Sequence, residues 1–248
     1  MEITSVNNDL VKETTKLQQR KYRKQYGKFI LEGYKAIKEA FDFGIEIEKI
    51  FVDKKNISQY NFAKNLVIET NSAVLKKISS TESAPEAIAV GIQKVYNIEN
   101  IKNLRKVILL EDIKDLGNLG TIVRSSLAFG VDAIILFGES VDIYNPKCVR
   151  ASVGNLWKIP VIHIESIEKL KELFCNFERI ATLPRSKNML KKYTPNLPTL
   201  IMFGSEANGL SEELIDFATK DIKIEMKESV ESLNLATSVA IITYNLFT

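Results

Sequence analysis

Residues 107–130 read VILLEDIKDLGNLGTIVRSSLAFG, and this stretch decides the fold class. An apolar run of strand length at 107–110 leads into a polar turn that contains two glycines. A helix is predicted at 119–129, because its apolar residues recur at three- and four-residue intervals along one face. Gly130 ends that helix. A strand joined to a helix in this way is the repeating unit of a parallel sheet.

The same alternation of apolar strands and amphipathic helices continues toward the carboxyl terminus. Further strands are predicted at 133–137, 161–164, 179–183, 200–203 and 222–224, and further helices at 167–177, 212–218 and 234–247. Apolar strands separated by helices predict a parallel sheet that is covered on both faces, which is an α/β fold. Periodicity alone indicates an ordinary doubly wound sheet.

The first 95 residues form a less regular α/β pattern. A helix capped by Asn8 or Asp9 is predicted to run into the basic stretch that follows, and a strand is predicted at 29–31. We expect an edge strand within 84–92, because Pro85 cannot donate a backbone hydrogen bond.

The chain is predicted to divide into two domains. The stretch 96–105 is polar and asparagine-rich, which is typical of a linker. We therefore expect a domain at 1–95, a linker at 96–105 and a second domain at 106–248.

Composition excludes several classes of protein. The chain has one histidine, His163, so a multi-histidine metal site is excluded and a hydrolase triad has one candidate base. His163 lies in an apolar strand, where a structural role is the simpler interpretation. The two cysteines, Cys148 and Cys175, form no CxxC motif, and the longest apolar runs are strand-sized. Together with the lack of a signal-peptide pattern, these features predict a cytoplasmic protein with no metal and no membrane span.

The net charge of +3 conceals an uneven distribution. Residues 1–95 hold 16 Lys and Arg against 12 Asp and Glu, whereas the remainder holds 18 against 19. A basic cluster interleaved with Tyr22, Tyr26 and Phe29 can neutralise phosphates and stack bases, although a solvated helix face is the simpler alternative. The residues predicted to bind RNA are Lys16, Arg20, Lys21, Arg23, Lys24 and Lys28.

Three predicted strand ends combine glycines with polar residues at the edge where open α/β sheets bind ligands. They are 111–124, which reads EDIKDLGNLGTIVR, 203–210, which reads FGSEANGL, and 231–234, which reads ESLN. The first is neither a GxGxxG turn nor a Walker loop, so a nucleotide-dependent oxidoreductase lacks its expected motif.

Each of these signals also has a structural interpretation. Asn118 can cap a helix, Glu206 can interact with the dipole of the next helix, and Ser232 and Asn234 can be caps. Arg124 is different, because the dipole disfavours a cation near the start of a helix. A bound anion explains Arg124 better, with a surface salt bridge as the alternative.

Taken together, the three segments resemble the signature motifs of the SpoU/TrmH-type RNA ribose methyltransferases of the SPOUT superfamily. The first motif, an acidic residue followed by Gly-Asn-x-Gly and an Arg, is matched by Asp115, 117–120 and Arg124. The second, Gly-x-Glu-x-x-Gly-Leu, is matched by 204–210, and the third, Ser-Leu-Asn, by 232–234.

This resemblance implies a fold and an activity. Residues 106–248 would form the catalytic domain, a parallel-sheet α/β domain tied in a deep trefoil knot, and two copies would form a homodimer through it. Residues 1–95 are similar to the small, ribosomal-protein-like α/β domain that binds the RNA substrate. The implied reaction transfers a methyl group from S-adenosyl-L-methionine to a ribose 2′-hydroxyl, in rRNA as first choice and in tRNA as second.

The resemblance also implies a role for individual residues. The implied catalytic residues are Asn118, Arg124, Glu206, Ser232 and Asn234. The implied cofactor-binding residues are Leu183, Met202, Gly204, Ile224, Met226 and Leu233. Because a guanidinium stays protonated in proteins, we expect Arg124 to hold a neighbouring phosphate and polarise the 2′-oxygen rather than act as a base. Glu206 would then orient Asn118 or Arg124.

Two alternatives remain open at this point. Base methylation occurs within the same superfamily, although the Ser-Leu-Asn motif favours ribose. A non-catalytic RNA-binding or ribosome-assembly protein would keep the basic cluster, yet it would not need Arg124 or Asn234.

Overall fold

The computed structural model describes residues 1–101, 103–227 and 229–248. These residues pack into two units, which we call unit 1 (Met1–Lys94 and Asp142–Trp157) and unit 2 (Val95–Val141 and Lys158–Thr248). The predicted linker includes Lys102, which lies outside the described residues. Other parts of it pack against the unit 2 core through Ile98 and its neighbours. The division of the chain at 96–105 stays a prediction.

Unit 1 contains a mixed sheet flanked by short helices. In chain order, its first 94 residues form β1 (Glu2–Ile3), α1 (Asp9–Lys16), α2 (Arg20–Tyr26), β2 (Lys28–Glu32), α3 (Tyr34–Asp42), β3 (Ile47–Asp53), a 3-10 segment (Lys54–Leu66), β4 (Val67–Thr70), α4 (Ser72–Ile78) and β5 (Ala87–Ile92). The strand order is β1-β4-β3-β5-β2, in which β5 is antiparallel to both of its neighbours.

Two expectations for unit 1 were wrong. β5 is not an edge strand, because it pairs with β3 on one side and β2 on the other. Pro85 precedes the strand, which begins at Ala87, so it removes no hydrogen bond from the ladder. The predicted first helix is two helices: Asn8 caps α1 by accepting a hydrogen bond from the Leu10 amide, and α2 begins after a turn.

Unit 2 is built on a parallel sheet. In chain order, its elements are a 3-10 turn (Ile98–Asn100), β6 (Lys106–Glu111), α5 (Leu116–Ala128), β7 (Ala133–Phe137), β8 (Val161–Ile164), α7 (Ile167–Leu173), β9 (Glu178–Thr182), a 3-10 turn (Leu190–Lys192), β10 (Thr199–Phe203), α8 (Glu212–Phe217), β11 (Lys220–Ile222) and α9 (Leu235–Phe247). The order is β11-β9-β10-β6-β7-β8, and each pair is parallel. The predicted parallel-sheet α/β fold is therefore confirmed. β7 and β10 are buried along their whole length, as a sheet covered on both faces requires.

Part of the segment that connects β7 to β8, Asp142–Trp157, packs within unit 1. It contains α6 (Pro146–Ala151) and the start of a 3-10 turn (Leu156–Lys158). Arg23, which is 1% exposed, donates from Nε to Asp142 Oδ2 at 2.7 Å and from Nη1 to two carbonyl oxygens of the α1–α2 turn. Arg150 Nη1 donates to Glu32 Oε2 at 3.0 Å. A buried and a partly buried ionic contact therefore attach residues 142–157 to unit 1.

Candidate active site

Asn118 lies in the first turn of α5, and its side chain contacts Glu206 and Asn234 from two other segments of the chain. α5 begins earlier than predicted, because Asp115 caps it by accepting a hydrogen bond from the Asn118 amide at 2.7 Å. The alternative that Asn118 is the cap is therefore wrong. Its side chain remains available for other contacts, and Nδ2 donates to Glu206 Oε1 at 2.7 Å.

Asn234 joins the same network from α9. Its Oδ1 caps the helix by accepting a hydrogen bond from the Thr237 amide at 3.2 Å. Its Nδ2 donates to Asn118 Oδ1 at 3.0 Å. Asn234 is thus both a cap and a member of the Asn234–Asn118–Glu206 network, which joins residues from the three separate sequence motifs.

The loop that carries Glu206 is held by backbone contacts. Ser205 and Gly209 exchange two backbone hydrogen bonds of 3.1 and 3.0 Å, which close the loop on itself. A Cβ atom on Gly204 would lie 1.9 Å from the carbonyl carbon of Gly209, so only glycine fits at this position. Glu111 is buried at the end of β6, and its Oε2 accepts a hydrogen bond from the Ser211 amide at 2.8 Å. Glu111 was not predicted as a site residue, and its position directly after a buried strand was the available signal.

A cavity of about 410 Å³ lies beyond the carboxyl ends of β9, β10 and β11. Its lining includes Leu183, Gly204, Ile224, Met226 and Leu233, which are five of the six predicted cofactor-binding residues. Glu206, Ser232 and Asn234 also lie in its wall.

Met202 is the sixth predicted cofactor-binding residue, and it does not line this cavity. It is fully buried in the unit 2 core, where it packs with Leu200, and its carbonyl oxygen accepts a hydrogen bond from Thr182 Oγ1 at 2.9 Å. Its side chain therefore belongs to the core, and its role in binding the cofactor stays a prediction. Sequence reasoning missed Thr182, Pro184, Ser205, Lys223, Ser238 and Ile242, which do line the cavity.

Arg124 lies apart from the hydrogen-bonded network. It follows Asn118 by six residues on α5, which places it about 9 Å farther along the helix axis. The side chain is exposed, and it forms no hydrogen bond or ion pair with the residues that the structure describes. The alternative of a surface salt bridge therefore has no support within those residues.

Four of the six residues predicted to bind RNA are exposed, and the other two are not. Lys16, Arg20, Lys21 and Lys24 are exposed on α1 and α2. Arg23 is corrected, because its guanidinium is buried and donates three hydrogen bonds within unit 1, so it cannot reach an RNA. Lys28 is half-buried and forms an ion pair with Glu48, which weakens its attraction for a phosphate.

The remaining candidates do not form a second catalytic centre. His163 lies on β8, at the edge of the unit 2 sheet, and its Nε2 lies 2.7 Å from the Gly138 carbonyl oxygen. Within 1–101, 103–227 and 229–248, no group of His, Cys, Asp and Glu side chains is arranged to hold a metal ion. Among the same residues, no helix has the length and apolar character needed to cross a membrane.

Comparisons with known proteins agree with this geometry. The model of the SpoU rRNA Methylase family matches residues 105–244, and that of the MRM3-like substrate binding domain matches residues 8–89. A Synechocystis protein named as an uncharacterized tRNA/rRNA methyltransferase is 32% identical over 98% of this chain and 92% of its own. The 23S rRNA (guanosine(2553)-2′-O)-methyltransferase RlmP of Bacillus subtilis is 26% identical over 99% of this chain and 98% of its own.

Solved structures show the same fold. The AdoMet-bound rRNA methyltransferase from Sinorhizobium meliloti superposes with a TM-score of 0.89 at 27% identity, covering 99% of this chain and 96% of that chain. An RNA 2′-O ribose methyltransferase superposes with a TM-score of 0.83 at 28% identity, covering 99% of this chain and 97% of that chain. By sequence and by structure, this chain belongs to the SpoU rRNA methylase family.

Proposed function

We propose that this protein transfers a methyl group from S-adenosyl-L-methionine to a ribose 2′-hydroxyl of RNA, with ribosomal RNA as the first-choice substrate. The observation that carries the proposal is the Asn234–Asn118–Glu206 network at the wall of the unit 2 cavity. The names of the relatives of this protein support methylation at the ribose 2′-oxygen and an rRNA substrate. Transfer RNA remains the second choice.

The cavity fits the cofactor that the family uses. Its volume of about 410 Å³ lies within the range of small-molecule pockets, roughly 300–1,000 Å³. Its lining combines apolar residues, such as Leu183 and Ile242, with polar ones, such as Ser205 and Glu206, which suits a ligand with both a flat ring and polar ends. Leu183, Gly204, Ile224, Met226 and Leu233 would hold S-adenosyl-L-methionine, which supplies an electrophilic methyl group when bound.

Arg124 is the residue proposed to act on the ribose. Its exposed guanidinium, with no partner among the described residues, is available to hold the phosphate next to the target ribose through two hydrogen bonds. The same charge would polarise the ribose 2′-oxygen, which would gain the methyl group as the S–CH3 bond of the donor breaks and the neutral thioether leaves. The proton of the 2′-hydroxyl would pass to that phosphate or to a water molecule. Glu206 accepts a hydrogen bond from Asn118 rather than from Arg124, so its proposed task is to orient Asn118.

A homodimer through the catalytic domain is part of this proposal. The helix α9 leaves Ile241 38% exposed and Tyr244 60% exposed, so its outer face carries apolar surface. Such surface is stabilised when a second copy covers it. The trefoil knot and a cytoplasmic location, where RNA substrates are available, stay expectations from the family and the sequence.

Replacing Arg124 by alanine tests the proposed function. Purified Arg124→Ala is expected to lose methyl transfer to rRNA by roughly 100-fold or more, because it lacks the group that stabilises charge in the transition state. Its affinity for S-adenosyl-L-methionine, measured by calorimetry, is expected to be unchanged. Arg105→Ala is the matched control. Arg105 is also exposed, but it precedes the first residue of β6, whereas α5 and Arg124 follow the last.

The position of the methyl group on the RNA distinguishes ribose methylation from base methylation. Ribose methylation makes the following phosphodiester resistant to alkaline hydrolysis, whereas base methylation leaves it sensitive. Ribose methylation should then be mapped in rRNA and tRNA from a strain that lacks the gene. Loss of a single site would identify the substrate. Full activity of Arg124→Ala would overturn the role proposed for Arg124, and no lost site would overturn the proposed function.

A further inference from the structure

Unit 1 exposes a pair of stacked aromatic rings on α2. The ring centroids of Tyr22 and Tyr26 are 6.0 Å apart, and the ring planes differ by 16°. Tyr26 is 43% exposed, so a large face of its ring is open to solvent. We propose that these two rings and the cavity beside them bind an unpaired nucleotide of the RNA, an inference that rests on the proposed RNA substrate.

Cations without acidic partners surround the rings. The Nζ atoms of Lys16 and Lys21 each lie 5.7 Å from the centroid of the Tyr22 ring. Arg20 and Lys24 are exposed on the same helix as the tyrosines. These four side chains form no ion pair with any residue in the described ranges. Free cations beside aromatic faces are the combination that binds single-stranded nucleic acid, because the cations hold phosphates and the rings stack bases.

A cavity of about 230 Å³ adjoins the Tyr26 ring. The charged residues in its lining are Glu13, Lys16, Lys28, Glu48 and Lys49. This volume is below the range of small-molecule pockets, roughly 300–1,000 Å³. The cavity is therefore suited to one planar group, such as a single base that has left its stack, rather than to a complete cofactor.

Glu48 determines which bases this cavity would accept. Burial raises the pKa of Glu48, but hydrogen bonds from Lys28 and Lys49 outweigh it, and the pKa lies below its ordinary value. The carboxylate is therefore ionised at neutral pH, and it accepts hydrogen bonds without donating any. A base with an exposed amino group, such as cytosine with its N4 amino group, matches this acceptor.

The site distinguishes unpaired RNA from a duplex. In a helix the bases are stacked and paired, so neither the Tyr26 ring nor the adjoining cavity can reach a base face. A duplex would contact only the lysines and Arg20. Its binding would then depend on the positive charges and not on the tyrosine rings.

Fluorescence anisotropy with labelled oligonucleotides tests the inference. The full-length protein, without cofactor, is titrated into a short single-stranded RNA rich in cytidine and into the same RNA annealed to its complement. Tyr26→Ala is expected to weaken binding of the single strand by roughly 5- to 100-fold and to leave duplex binding unchanged. Tyr26→Phe should bind normally, because the ring is kept. Phe43→Ala is the matched control, since Phe43 is an exposed ring of unit 1 with Lys94 over it and does not line the cavity.

A second variant examines the role of Glu48. Glu48→Gln is expected to reduce the preference for oligocytidine over oligouridine without abolishing binding of either. Urea unfolding of each variant establishes that it is folded. The inference is overturned if Tyr26→Ala binds the single strand as the unchanged protein does, if the duplex shows the same dependence on Tyr26, or if the unchanged protein binds no single strand.

These outcomes are separable from those for the proposed function. The binding assay requires no methyl transfer, and the Arg124→Ala assay requires no change in unit 1. If Arg124→Ala loses methylation while Tyr26→Ala keeps its RNA affinity, the methyltransferase proposal stands and the nucleotide site does not.

Discussion

Replacement of Arg23 by methionine is expected to destabilise unit 1 strongly. The guanidinium is 1% exposed and makes three charge-assisted hydrogen bonds, at 2.7 Å to Asp142, 2.8 Å to the Leu17 carbonyl and 2.7 Å to the Gln18 carbonyl. Methionine fills much of the same space but offers no donor. The carboxylate of Asp142 would therefore lose its cation, and two carbonyl oxygens would lose a donor.

The magnitude follows from the burial of this pair. Removal of one partner from a buried ion pair costs about 3–5 kcal/mol. The lower end applies here, because Asp142 is 17% exposed and its Oδ1 still accepts a hydrogen bond from the Tyr144 amide at 2.9 Å. We expect a loss of about 3 kcal/mol in the free energy of unfolding of unit 1. Lys12→Met provides the comparison, since the ion pair of Lys12 with Asp9 is exposed and contributes about 0.5 kcal/mol or less.

Urea unfolding followed by tryptophan fluorescence measures this change. The chain has a single tryptophan, Trp157, which is buried in unit 1 and reports on that unit. The double variant Arg23→Met with Asp142→Asn should lose less stability than the sum of the two single variants, because it leaves no uncompensated charge. A loss below about 1 kcal/mol for Arg23→Met, or a loss no larger than that of Lys12→Met, would refute the reasoning.

Two further predictions concern unit 2 and the cysteines. Gly204→Ala is expected to abolish binding of S-adenosyl-L-methionine in calorimetry, because its Cβ would collide with the backbone of Gly209 and open the loop. Ala207→Gly in the same loop should bind the cofactor normally. Binding by Gly204→Ala would contradict the assignment of Gly204 to the cofactor site. At about pH 8 a thiol reagent should modify one cysteine per native chain, the exposed Cys175, because burial raises the pKa of Cys148 to about 12. Both should react in urea, and modification of both in the native protein would be inconsistent with the fold.

Much of unit 2 could be predicted because its signals are local. The strands at 133–137 and 161–164 were predicted with the bounds that the structure has, since each is a short apolar run between polar turns. Ser211, the residue before the helix predicted at 212–218, caps α8 by accepting a hydrogen bond from the Leu214 amide, a contact between residues only three apart in sequence.

The contacts that create the candidate site could not be derived from spacing. Asn118 and Glu206 are 88 residues apart in sequence, and Asn118 and Asn234 are 116 apart. The three motifs indicated that these residues belong together, yet only the folded structure shows which side chain contacts which. Arg23 was predicted to bind RNA because it lies in a basic run. The sequence of that run cannot indicate that Arg23 is buried against Asp142, an acidic partner 119 residues away.

The packing of residues 142–157 within unit 1 has a consequence for the modularity of this protein. The chain passes from one unit to the other at three peptide connections, after Lys94, after Val141 and after Trp157. Unit 1 therefore cannot be separated from the chain by cleavage at one position. A fragment that ends near residue 95 would lack the Asp142 carboxylate, which neutralises Arg23. Recombination that exchanged unit 1 between relatives would therefore have to carry two separate stretches of gene together.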